Sequence, residues 1–243
     1  MRPMMERMRA YVLFAVWGGL LAILGPFCIA LTALTRIPEF VTIPTMCTIR
    51  LGLLLAGVRY TIEGRDRVDP RETYVYVSNH QSTLDPPMIW LALGSPRHRI
   101  GYLFKSQVEK VPLLATGAKT IGMIAVDRSN RDQAVESVRR ATESLKRGQS
   151  FGVFAEGTRT RTGELLPLKK GAFHMAIGAG VPIVPVTIDG AFEAMPPGTV
   201  RLRSVPIRIV IHHPIPTISM TEADVDSLLE QTRAIMAAEL EKS

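Results

Sequence analysis

From Ala10 to Leu34 the chain runs twenty-five residues without a charged side chain, and Val12, Leu13, Phe14, Trp17, Leu20, Leu21, Ile23, Leu24, Phe27, Ile29 and Leu31 fill much of it. As a helix this run reaches roughly 37 Å at 1.5 Å per residue, enough to cross a hydrocarbon core of about 30 Å. Arg2, Arg7 and Arg9 precede it, which by the positive-inside tendency holds the N-terminus on the cytoplasmic side. A secretory signal has the same polarity, but this apolar run is too long for a cleaved one and its small-residue exit is poor. A second apolar stretch, Phe40 to Val58, follows Arg36 and Pro38 and carries Arg50 near its middle. A charge there makes a lipid-exposed crossing costly, so this segment is expected to lie at the interface or to pack on its partner. The expectation is a membrane-anchoring helical hairpin over residues 1–58. It either dips into one leaflet or crosses and returns, and the remainder sits on the cytoplasmic side of the cell membrane. Gly25-Pro26 predicts a kink, which favours dipping.

Composition narrows the partners. The chain has 243 residues, 47% of them hydrophobic, with a mean hydropathy of +0.16 and a formal charge of +7. A positive excess suits a membrane surface, phosphorylated metabolites or nucleic acid. Aromatics make up only 6% and no basic stretch is interleaved with them, so nucleic acid is not expected. Cys28 and Cys47 both fall in the apolar N-terminal segments. Two cysteines cannot build a disulfide framework, and neither has companions at zinc-ligand spacing, so no metal is expected.

Beyond residue 58 the pattern changes to alternating strands and helices, marked by the turn residues Gly64, Asp66, Asp69 and Pro70. Strands are predicted at 59–63, 74–78, 100–104, 151–154, 183–187 and 207–211. Helices are predicted at 86–93, 112–118, 131–147, 169–179 and 222–239, with Gly148 closing the third and Thr221 with Asp224 capping the last. Residues 59–243 are therefore expected to form one α/β layered domain, a central mixed β-sheet flanked by helices.

Several groups in this region can carry chemistry. An apolar strand, Tyr74 to Ser78, runs into Asn79-His80, and Asp85 follows five residues later at a helix start. A histidine beside a carboxylate that holds one ring nitrogen is a general base near neutral pH. Asp85 before Pro86-Pro87 equally fits a helix N-cap. Phe154-Ala155-Glu156-Gly157-Thr158-Arg159 also leaves a strand. There Gly157 allows close backbone approach, Thr158 adds a hydroxyl and Arg159 offers a planar fork for phosphate or carboxylate. An apolar run from Gly122 ends at Asp127-Arg128, Lys105 follows another strand, and Lys169-Lys170-Gly171 opens a helix whose N-terminus suits an anion. Each has an ordinary structural reading as a turn, a surface charge or a capped helix.

Taken together and in order, these blocks resemble the glycerolipid acyltransferase superfamily, specifically the 1-acyl-sn-glycerol-3-phosphate (lysophosphatidic acid) acyltransferases. The matching blocks are Asn79-His80 through Asp85, Gly122 to Arg128, Phe154 to Arg159 and Val181 to Val186, and the likeness spans residues 60–211. Four ordered blocks are more specific than any one. Ala155 stands where the family usually has proline.

The resemblance implies transfer of a fatty acyl group from a thioester, acyl-CoA or acyl carrier protein (acyl-ACP), to the free hydroxyl of a lysophospholipid, with no permanently bound cofactor. His80 is implied as the base, with Asp85 fixing its tautomer. Arg159, Arg128 and Lys105 are implied to hold the acceptor phosphate, with Glu156 orienting the acceptor or the loop and amides near Gly157 facing the oxyanion. Ser78 and Ser82 are the rival nucleophiles of a covalent scheme. Other lysolipid acceptors, glycerol 3-phosphate, or a lipid-binding role without catalysis are the competing readings.

Overall fold

The strand and helix patterns after residue 59 assemble, in a computed structural model, into a seven-stranded sheet of order β1-β7-β6-β2-β5-β3-β4. The structure describes residues 2–94, 100–105, 111–126 and 130–242. The strands are β1 (Tyr60–Glu63), β2 (Val75–Ser78), β3 (Ile100–Lys105), β4 (Ile124–Val126), β5 (Ser150–Phe154), β6 (Ile183–Asp189) and β7 (Ile207–Ile211). Strands β6, β2, β5, β3 and β4 run parallel, β7 pairs antiparallel with β6, and β1 lies parallel to β7. The sheet is mixed, as expected.

Alternation along each strand divides the interior into two cores. On one face Val75, Val77, Phe151 and Ile183 pack against α5 (Arg131–Lys146), α6 (Gly171–Ala179) and α8 (Val225–Leu240). On the other, Tyr76, Tyr102, Val184, Val186 and Ile188 meet α3 (Asp85–Leu93) and the short α7 (Ala191–Ala194). Gly152 makes room there: a Cβ on it would sit 2.4 Å from the Tyr102 ring.

The apolar N-terminal segments form α1 (Arg2–Thr35) and α2 (Glu39–Leu55), joined through Arg36. Trp17 crosses α2 at Gly52, where a Cβ would lie 2.3 Å from the indole nitrogen. The inner face of this pair, with Ala10, Leu13, Ile49 and Leu53, joins the same core as Met88 and Val186. Its outer face is apolar and open, with Ile23, Phe27 and Leu54 each at least 70% exposed. By length and composition α1 is the one described helix able to cross a membrane. The remaining described helix, α4 (Pro112–Thr120), leans on α1. Cys28 and Cys47 are unbridged.

Candidate active site

Strand β2 is flanked on both sides, by β5 and β6, so its carboxyl end opens at the middle of the sheet. Asn79 fixes the first residue after it by two 2.8 Å hydrogen bonds, donating to the Ile188 carbonyl and accepting from the Ile188 amide. Gln81 donates to the same carbonyl at 2.6 Å, and the Ser82 hydroxyl donates to Met195 O at 2.7 Å. The turn carrying His80 is thus tied to the end of β6 from both sides.

Within that turn His80 Nδ1 lies 2.8 Å from Asp85 Oδ2. The same oxygen accepts the amides of Gln81 at 2.6 Å and Ser82 at 2.7 Å. Asp85 is therefore not the N-cap that its Asp-Pro-Pro context suggests: Leu84 occupies the cap position and Asp85 is the first helical residue. Its carboxylate instead gathers the preceding turn. Both readings of the residue draw on its capacity to accept N–H groups, and the turn wins because Pro86 and Pro87 offer no N–H and the Met88 amide already donates to Leu84 O. Asp85 is fully buried, and burial pushes its carboxyl above the ordinary range against the opposing pull of His80 and the two amides. Its Oδ1 is buried with no partner among the described residues.

A ring nitrogen held by a carboxylate carries the proton, so Nδ1–H faces Asp85 and Nε2 presents its lone pair. The His80 side chain is 17% exposed. Its ring stacks on Phe154 with centroids 4.1 Å apart. Phe154 ends β5 and was visible in the sequence only as part of its block, with nothing to mark the stacking.

The second block folds onto the first. Glu156 Oε1 accepts the His80 amide at 2.5 Å and Oε2 accepts the Leu166 amide at 2.9 Å. This residue is buried, and burial lifts its carboxyl to about 7 while the two amides pull down. The Thr160 amide donates to His80 O at 2.9 Å, and exposed Arg159 donates to Thr83 Oγ1 at 2.7 Å. Gly157 takes the positive φ of 76° that the tight turn requires, and its amide donates to Phe154 O. The amides of exposed Thr158 and Arg159 make no hydrogen bond with the described residues.

His80, Asp85, Glu156, Gly157, Thr158 and Arg159 are thus brought together at one edge. Lys105 ends β3 at the same edge, but its side chain lies outside the described residues, as does Arg128. Lys170 is drawn to Asp226 at 2.6 Å, away from this turn. Ser78 and Ser82 are buried, each donating its hydroxyl to a backbone carbonyl. The Val181 block is largely the buried strand β6. Nothing in the sequence marks Gln81 and Thr83, because their partners, Ile188 and Arg159, lie far along the chain.

Beside this edge an apolar cavity of about 350 Å³ separates the hairpin from the sheet, lined in part by Trp17, Leu24, Ile49, Phe104, Leu113 and Met123. Tyr102 pairs with Gly152, so the same register brings Phe104 level with Phe154.

Comparison with known proteins gives concordant matches. A family model described as Acyltransferase matches residues 59–189. A 1-acyl-sn-glycerol-3-phosphate acyltransferase of Limnanthes douglasii is 33% identical over 195 residues, 79% of this chain and 67% of its own. A chloroplastic 1-acyl-sn-glycerol-3-phosphate acyltransferase of Brassica napus is 36% identical over 156 residues, 63% of this chain, and the match spans 44% of the Brassica protein. The crystal structure of the 1-acyl-sn-glycerophosphate acyltransferase PlsC of Thermotoga maritima superposes with a TM-score of 0.84 at 22% identity, covering 100% of this chain and 97% of that one, so the fold is the same.

Proposed function

We propose that this chain, which belongs to the acyltransferase family, transfers a fatty acyl group from a thioester to the free hydroxyl of lysophosphatidic acid, giving phosphatidic acid. The observation that carries the reading is the 2.8 Å contact between His80 Nδ1 and an Asp85 oxygen already fixed by two amides. A base so held needs no nucleophilic serine, because a thioester is already activated. The acceptor hydroxyl gives its proton to His80 Nε2 as its oxygen attacks the thioester carbonyl. Collapse of the tetrahedral intermediate breaks the carbon–sulfur bond, and the imidazolium returns the proton to the departing thiolate. Asp85 orients the ring and stabilises the imidazolium between these steps. The amides of Thr158 and Arg159, unengaged among the described residues, are the backbone donors offered to the oxyanion.

Arg159 turns from Thr83 to the acceptor phosphate, a bidentate match for its fork. The family resemblance assigns Lys105 and Arg128 to the same phosphate. Glu156 positions His80 through its backbone rather than meeting substrate, since both carboxylate oxygens already accept amides. The apolar cavity beside Phe104 suits the acyl chain. The open face of α1 and α2 anchors the chain as a hairpin, with Arg2, Arg7 and Arg9 keeping the site on the cytoplasmic side. Acyl-CoA and acyl-ACP present the same thioester, and either serves this chemistry.

The test is a panel of lysophosphatidic acid, other lysophospholipids and glycerol 3-phosphate offered to the purified chain with each donor, products read by mass. Phosphatidic acid is the expected main product, and Arg159→Ala is expected to raise the KM for lysophosphatidic acid about 10- to 100-fold with little change in kcat. A main product from another acceptor refutes the acceptor assignment.

A further inference from the structure

Residues 196–203 leave α7 and come back to the start of α1, where the Leu202 amide donates to Glu6 O at 3.0 Å. Leu202 is fully buried, while Arg201 and Arg203 on either side of it are exposed. The two guanidinium groups therefore share the outward side of this loop, and neither has an ion pair or side-chain hydrogen bond among the described residues. Val200, one residue before them, is apolar and 45% exposed.

The segments beside the loop repeat that composition. Arg7 is exposed near the start of α1, and Arg9 lays its guanidinium over Gly57 just beyond the end of α2, where a Cβ would lie 3.7 Å from Arg9 Nη2. Exposed Arg59 follows, its carbonyl accepting the Ile207 amide at the start of β7. Met4, Met8 and Tyr11 are exposed on the same turns of α1. The carboxylates on these segments are Glu6, half-buried, and Glu193, exposed, so the arginines outnumber them and this end of the hairpin is positive. Arginine beside exposed valine, methionine and tyrosine is the composition of a contact at headgroup depth: the apolar groups enter the interface and the guanidinium groups meet lipid phosphate.

The loop also borders the catalytic turn. The Arg203 amide donates to Ala194 O at 2.9 Å, and Met195 O accepts the Ser82 hydroxyl at 2.7 Å. We propose that residues 198–203 are a second membrane contact, docking on anionic lipid headgroups through Arg201 and Arg203 with Val200 seated among them. This rests on the anchoring of α1 and α2 given above and adds to it a contact from the α/β domain that responds to lipid charge. The hairpin holds the chain at the bilayer, and the loop sets the His80 end of the sheet at the depth of the headgroups, where the phosphate of a membrane-borne acceptor lies. Each arginine close to an anionic surface strengthens docking about fivefold.

The test uses the full chain with Cys28→Ala and Cys47→Ala, carrying one new cysteine, Val200→Cys or Leu54→Cys, labelled with the polarity-sensitive fluorophore nitrobenzoxadiazole. It is reconstituted with vesicles of phosphatidylcholine alone or with about 30% phosphatidylglycerol. At position 200 emission is expected to be at least about twofold higher with the anionic vesicles, and at position 54, on the open face of the hairpin, equal with both. Arg201→Gln with Arg203→Gln is expected to abolish the gain at position 200, as is raising the salt from about 0.05 M to about 0.5 M without those substitutions. Equal emission at position 200 with the two kinds of vesicle overturns the proposal, as does a gain that survives the double variant or the salt. A rise at position 200 on adding acyl carrier protein in detergent, with none on anionic vesicles, assigns the arginines to an acidic protein and overturns it too. A probe at position 54 as dim as in water refutes the hairpin anchor itself, whereas a bright position 54 beside an unresponsive position 200 refutes the loop contact alone.

Discussion

The turn from Asn79 to Asp85 and the hairpin α1–α2 border the same face of the sheet, yet they are held there by opposite means. In the turn, polar side chains meet backbone groups at 2.6 to 2.8 Å, and Asp85 is fully buried. Along the hairpin, Ala10, Leu13, Ile49 and Leu53 are held by apolar packing, while residues such as Ile23, Phe27 and Leu54 face outward. Directional bonds fix a geometry to tenths of an ångström, which a base needs. Apolar packing fixes a layer without fixing each atom, which is sufficient for an anchor and for a wall that admits a chain.

Breaking the polar side of this contrast is expected to have the largest effect. Asp85→Asn removes the charge that stabilises the imidazolium while leaving an oxygen for the Gln81 and Ser82 amides. The rate of acyl transfer is expected to fall on the order of 10³- to 10⁴-fold with the fold intact by circular dichroism. A loss below tenfold would show that the carboxylate is only a turn-former.

On the apolar side, Leu53→Ala is expected to cost about 2–5 kcal/mol of stability in detergent, because Leu53 is fully buried. Leu54→Ala, one residue along and 74% exposed, is expected to leave the melting midpoint unchanged. Equal effects at the two positions would mean that the hairpin does not pack as one face in, one face out.

Glu156 sharpens the comparison through pH. Burial lifts its carboxyl from 4.5 to about 7, so the ionised form is disfavoured in the folded chain. Its contribution to stability is therefore fully present below about pH 4.5 and declines as pH rises to about 7. Glu156→Gln does not titrate there. Relative to that variant the parent chain is expected to lose up to about 3 kcal/mol across this window, measured by denaturant unfolding at each pH. A pH-independent difference would place the carboxyl in a wetter setting than its burial implies.

How much of this was legible follows from distance along the chain. His80 and Asp85 lie five residues apart, and their pairing was read directly from spacing. The partners that hold the turn, Glu156 and Ile188, stand 76 and 109 residues from His80 and Asn79. Nothing local marks such contacts. The family resemblance placed Glu156 in the site, but its bonds to the His80 and Leu166 amides became visible only in three dimensions. Strand β4 and helix α7, at three and four residues, are too short to show a period, and the first was seen only as an apolar run. The hairpin was legible as two apolar segments because length and charge suffice for that. Its inner face was not, since Leu13 and Ile23 are equally apolar and only the fold separates them.

The smallest effect is expected at Ser82. Its hydroxyl donates to Met195 O, so Ser82→Ala is expected to keep acyl transfer within about tenfold of the parent, whereas a covalent acyl-serine requires a loss of several orders of magnitude.

Replacing His80 itself probes the base most directly. Purified His80→Ala, supplied with acyl-CoA and lysophosphatidic acid and assayed for phosphatidic acid by mass, is expected to give no turnover above background while its melting midpoint and its affinity for lysophosphatidic acid match the parent's. Phosphatidic acid formed at a rate within tenfold of the parent's would contradict the assignment of His80 as the general base.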